Sequence, residues 1–130
     1  MDPLGRTELH YAACDGDVTK ATKLIAAGAR VDVVDDNGWT PLHFAAQSQS
    51  APIAEALLAA GAPVDPPDSY GNTPLSTAVF NSRGDGELIA LLRRHGSDPT
   101  HTNFHGVSPV SLARTIGNYD VAQFFKDLPD

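Results

Sequence analysis

The chain is 130 residues long, 42% hydrophobic, and carries nine Lys and Arg against sixteen Asp and Glu, a formal charge of -7 at neutral pH. That length and apolar fraction suffice for one domain, residues 1–130, with its own core and no need of disulfides or a structural metal. The acidic balance argues against a general binder of nucleic-acid phosphates, which requires clustered Lys and Arg, and makes a basic protein the easier partner.

From the amino end, Met1 to Thr7 shows no basic stretch followed by an apolar run, and nowhere do about 18 apolar residues follow one another. Neither export by a leader nor insertion into a membrane is expected. The pattern Gly5-Arg6-Thr7-Glu8-Leu9 returns as Gly38-Trp39-Thr40-Pro41-Leu42, Gly71-Asn72-Thr73-Pro74-Leu75 and Gly106-Val107-Ser108-Pro109-Val110. These glycines lie 33, 33 and 35 residues apart, and a second series, Gly28, Gly61 and Gly96, lies 33 and 35 apart. Two series with one period mark a repeat array, with two extra residues in the third unit, placed within Asn81 to Gly86. The units run approximately over residues 2–34, 35–67, 68–102 and 103–130.

Unit one departs from the later ones: Glu8 stands where they have proline, and Lys20 stands where they have Ile53 and Leu88. A polar outer face there suits an amino-terminal cap. In unit two, Thr40 before Pro41 is a helix start, its hydroxyl capping a free N–H and proline costing nothing at the first helical position. A helix is predicted over Pro41 to Gln47, then a second over Ile53 to Ala60, with Ile53, Leu57 and Leu58 as its apolar stripe and Gly61 as its left-handed stop. Ala62 to Tyr70, rich in Pro, Asp and Gly, reads as an extended, hairpin-like connector. Unit three repeats the scheme with Leu88, Leu92 and Gly96. Unit four holds Val110, Leu112, Ala113, Val121, Phe124 and Phe125, then reaches Asp130 before another closing glycine, as a carboxy-terminal cap would. Such helix pairs cannot bury their apolar faces singly, so the expected fold is an all-α solenoid of stacked helix-turn-helix units.

Thr40-Pro41-Leu42-His43-Phe44-Ala45-Ala46, followed by Leu57-Leu58-Ala59-Ala60-Gly61-Ala62, resembles the ankyrin-repeat signature, and the resemblance spans nearly the whole chain. It implies that His10 and His43 hold helices to connectors through hydrogen bonds, with Ser76 and Ser111 supplying part of that bonding in units three and four. It also implies a non-catalytic protein-protein interaction module whose concave face, made of connector tips and inner helices, binds the partner. Carried over by register, that face comprises Arg6; Asp36, Asn37 and Trp39; Ser69, Tyr70 and Asn72; and Phe104, His105 and Val107. The ends of the first helices add Cys14, Asp15, Gln47, Ser48, Phe80, Asn81 and Thr115. Aromatic rings are enriched at binding hot spots, so Trp39, Tyr70, Phe80 and Phe104 are either contact residues or packing against neighbouring connectors. Asp15, Asp35, Asp36 and Asp68 would add negative potential on that side. A narrower alternative is a specific inhibitor or immunity protein that neutralises an enzyme or toxin with a basic active-site surface.

Chemistry of the chain's own is not expected. Cys14, the single cysteine, leaves no intrachain disulfide and fits a reducing, cytoplasmic setting; as a nucleophile it would need an oriented base and an oxyanion site. His101 and His105 would share a face only if helical, and by register they lie in a connector, so no metal site is assigned. Asp35-Asp36 reads as a solvated connector tip. No phosphate loop, nucleophile elbow or Cys-x-x-Cys occurs, so no cofactor is expected and a monomer is the simplest state.

Overall fold

The computed structural model describes residues 2–129. Its regular structure over those residues is helical: α1 (Glu8–Asp15), α2 (Val18–Ala26), α3 (Pro41–Gln47), α4 (Ala51–Ala59), α5 (Pro74–Phe80), α6 (Glu87–Arg94), α7 (Pro109–Thr115) and a short 3-10 helix (Val121–Phe125). Each odd-numbered helix packs against the next odd-numbered one, α1 on α3 on α5 on α7, while α2, α4 and α6 stack in a second layer. The predicted solenoid is therefore present.

The residues that make the helices are those of the repeat. Thr7, Thr40 and Ser108 have extended backbones, and their hydroxyls accept the N–H three residues on, which starts α1, α3 and α7. Predicted α3 agrees at both ends; α4 begins two residues before Ile53, because Ser50 caps it through the Ile53 N–H. At its other end Gly61 has φ of 93°, and Ala62 N–H reaches back to the Leu57 carbonyl, the pairing that closes a helix on a left-handed residue. The extra residues of unit three fall in the loop 81–86 between α5 and α6, leaving Leu88 in the register of Ile53, both buried.

Leu9, Leu42 and Leu75 are fully buried where the inner helices meet, among Ala12, Ala13, Ala45, Ala46 and Ala78, whose small side chains allow close helix approach. In the outer layer Ile53, Leu57, Leu88 and Leu92 are buried, whereas α2 buries only Ala21 and leaves Lys20 in solvent. Replacing Lys20 by Ala is accordingly expected to move the urea midpoint by no more than the equivalent of about 0.5 kcal/mol.

At the carboxy end, Val121 and Phe125 are buried, but on a 3-10 turn rather than an α-helix. No side chain caps its first turn, and Leu128 N–H bonds the carbonyl three residues back, the tighter spacing of short terminal helices. Arg93 holds this turn to α6, donating to the Phe124 carbonyl at 3.0 Å and pairing with Asp127 at 2.7 Å.

Candidate functional site

The connectors present one side of the solenoid, and each is closed in the same way. Asp35 Oδ1 accepts the N–H groups of Asn37 and Trp39, Asp68 Oδ1 those of Tyr70 and Asn72, and Asn103 Oδ1 those of His105 and Val107. A short-side-chain acceptor at this position thus shapes each tip. Adjacent tips are joined by one main-chain bond per junction: Asp36 N–H to the Leu4 carbonyl, Ser69 to Asn37, Phe104 to Tyr70. Gly38, at φ of 78°, lies where an added Cβ would meet the Asp68 and Ser69 backbone at 3.1 Å, so glycine is required by both conformation and space.

A second ladder crosses the junctions through side chains. Arg6 Nε pairs with Asp35 Oδ2 at 3.1 Å, Trp39 Nε1 donates to Asp68 Oδ2 at 2.9 Å, and Asn103 Nδ2 donates to Asn72 Oδ1 at 2.9 Å. Asp35 and Asp68 are therefore buried, partnered residues, not the solvated, potential-setting carboxylates expected from the sequence. Asp35 pairs with the Arg6 cation, whereas the donors on Asp68 are neutral N–H groups. Asp15 and Asp36 are the exposed acids of that group.

Both signature histidines are fully buried. His43 Nδ1 accepts the Thr40 N–H at 3.1 Å, which leaves Nε2 as the protonated nitrogen, donating to the Asn72 carbonyl at 3.0 Å. His10 repeats this with Thr7 and the Trp39 carbonyl, at 3.0 and 2.9 Å. Burial pushes the His43 pKa below its ordinary value, favouring the neutral ring that this pattern requires. Ser111 supplies part of the same bonding, since its hydroxyl accepts the Ser108 N–H at 2.8 Å. Ser76 does not: Thr73 has no capping bond, and its Oγ1 is buried without a partner.

Of the residues carried over from the signature, Arg6, Trp39, Ser48, Asn72 and Asn81 are half-buried and already bonded within the chain. The Arg6 guanidinium also lies over the Phe44 ring, 4.9 Å from its centroid. Trp39 stacks on His43 at 5.3 Å and meets Phe44 edge-on at 4.8 Å, both on the helix of its own unit. Asp15, Asp36, Asn37, Gln47, Ser69, Tyr70, Phe80, Phe104 and His105 are exposed, with Tyr70, Phe80 and Phe104 at 62, 73 and 77%. Cys14 is half-buried, its Sγ 4.0 Å from Gln47 Oε1.

A cavity of about 550 Å³ opens where units two, three and four meet. It brings together Trp39, Gln47, Asn72, Phe80, Asn81, His105 and Val107 of the carried-over set, and adds Asp68, Ser76, Thr77, Asn103 and Leu112. Arg6, Asp15, Asp36, Asn37, Ser48, Ser69, Tyr70 and Phe104 are not among its walls. Of these added residues the sequence marked only Ser76, as the replacement of the signature histidine. His101 and His105 are both exposed on the connector, and among the described residues no group of three or more His, Cys, Asp or Glu is placed to hold a metal. No described helix is long and apolar enough to cross a membrane.

A family model described as ankyrin repeats (3 copies) matches residues 9–103. No curated protein matches the chain.

Proposed function

Because the chain belongs to the ankyrin-repeat family, whose repeats are generally protein-protein interaction modules, we propose that it binds a protein partner across the connector tips and inner helices. The observation that carries this reading is the exposure of Tyr70, Phe80 and Phe104 on units three and four, beside a cavity that Phe80 itself helps to line. Large rings in water cost solubility unless a partner covers them, and aromatic side chains dominate interface hot spots. The formal charge of -7, with Asp15 and Asp36 exposed, favours a basic partner surface and an association rate that falls with salt. An enzyme or toxin with a basic active site would present such a surface, and blocking it would make the protein an inhibitor.

Affinity purification with the full chain as bait, followed by calorimetry on the captured partner, tests the reading. Tyr70→Ala and Phe104→Ala are each expected to weaken binding by about 1 to 2 kcal/mol while leaving the urea midpoint nearly unchanged. Lys20→Ala serves as the neutral control. Trp39→Ala is a poor probe, because that ring also stacks on His43 and bonds Asp68. Unaltered affinity in both the Tyr70 and Phe104 variants would remove this face from the interface.

A further inference from the structure

We propose that the cavity between units two, three and four takes an arginine side chain of the protein partner, its guanidinium pairing with the Asp68 carboxylate in the cavity wall. This rests on the protein-binding reading above. The chain sets the pattern itself at its first junction, where the Arg6 guanidinium meets Asp35 Oδ2 at 3.1 Å and lies over the Phe44 ring. Asp68 stands at the same register one unit on, and its Oδ1 closes the connector tip as Asp35 Oδ1 does. The residue in the Arg6 position is here Trp39, which brings a neutral N–H and no charge. At the third junction both positions are neutral, Asn72 and Asn103, so the second is the one that holds an acid without a cation.

Asp68 is itself a wall of the cavity and keeps 8% of its surface in contact with solvent. Trp39, whose indole bonds its Oδ2, is a wall as well, so this bonded pair of side chains borders the space. A carboxylate presents about four acceptor sites, and the N–H groups of Tyr70 and Asn72 and the indole occupy three of those on Asp68. The fourth is on Oδ2, the atom that Arg6 meets on Asp35. Among the described residues no Lys or Arg nitrogen lies within 4.0 Å of Asp68. His43 lies near, but burial lowers its pKa and its ring is neutral at pH 7.5. A buried charge without a counter-charge is costly, and a cation that reaches it recovers part of that cost. No Lys or Arg lines the cavity to oppose one. The other walls fit a guanidinium better than an ammonium: Asn81 donates Nδ2 to the Thr77 carbonyl at 2.9 Å, which leaves Oδ1 to accept, and the exposed Phe80 supplies a ring face. A planar cation with five donors uses separate acceptors and a ring together. At about 550 Å³ the cavity holds such a group and the stem that brings it.

The test uses the full chain, labelled with nitrogen-15, titrated at pH 7.5 with N-acetyl-arginine methylamide and followed by NMR. Trp39 is the single tryptophan, and its indole N–H rests on Asp68 Oδ2, so a saturable shift of that one indole signal is expected. N-acetyl-citrulline methylamide has nearly the same shape without the charge, and it should bind at least about tenfold more weakly, as when a hydrogen bond to a charged group is lost. N-acetyl-lysine methylamide should also bind more weakly than the arginine compound. Asp68→Asn keeps an oxygen to close the tip, as Asn103 does at its own, and should abolish the response. No saturable shift, citrulline or lysine compounds binding as well as arginine, or an undiminished response in a folded Asp68→Asn chain would overturn the proposal. Should Asp68→Asn not fold, the comparators on the unaltered chain decide. Capture of a partner whose binding is undiminished by saturating blocked arginine overturns this inference and leaves protein binding standing. A response in a chain that captures no protein overturns the protein source of the guanidinium.

Discussion

Leu57→Ala is expected to lower the stability of the chain by about 2 to 5 kcal/mol, read as a shift of the urea midpoint with an unchanged slope. Leu57 is fully buried in α4, which packs between α2 and α6, so truncation leaves a cavity bounded on both sides. The leucines of the same register provide an internal scale. Leu92 in α6 is also fully buried and should behave alike, whereas Leu24 in α2 is half-buried at the end of the stack. Leu24→Ala should therefore cost distinctly less, because water already reaches part of its surface and α4 alone of the outer helices covers it. Equal costs at Leu24 and Leu57 would mean that the outer layer does not derive its stability from stacking.

The period of the chain carried most of the fold. Once Gly38 and Gly71 are aligned, the inner helices and the buried leucines of units two and three fall in one register, and the structure places α3 at the predicted residues, although Thr73 makes no capping bond where Thr40 does. The extra residues of unit three were legible for the same reason. What the sequence could not show is where the polar groups of one unit end on the next. Asp35 reads as a connector-tip acid, yet across the junction Arg6 meets it; Trp39 reads as either a contact ring or packing on a neighbouring connector, and its indole N–H ends on Asp68. These partners lie 29 residues apart, and only the stacking of units brings them together. The cavity has the same origin. Ser76 for histidine is visible in the sequence, but that Asn72, Val107 and Leu112 do not close over it depends on packing between three units.

His43→Ala should cost about 1 to 3 kcal/mol, because it strands the Thr40 N–H and removes a donor from the Asn72 carbonyl inside the stack. The substitution should also change how stability depends on pH, which separates a bonding role from mere filling of space. In the folded chain burial holds the His43 pKa below the unfolded value of 6.5, so the unfolded state binds the proton more readily. The stability gained from the neutral ring is fully present above about pH 6.5 and is lost as pH falls from there towards the folded pKa, with a slope of at most about 1.4 kcal/mol per pH unit. Urea melts at intervals from pH 7.5 downward should show this loss in the parent, and a shallower one in His43→Ala. Opposing charges do not reverse the sign: Asp68 and Asp35 lie near enough to favour the charged ring, yet desolvation outweighs them. Partner affinity, measured well above pH 6.5 on folded protein, should change little, since the ring has no exposed surface. A variant as stable as the parent, with the same pH profile and no binding, would assign His43 to recognition and overturn its role as the bond between α3 and the next connector.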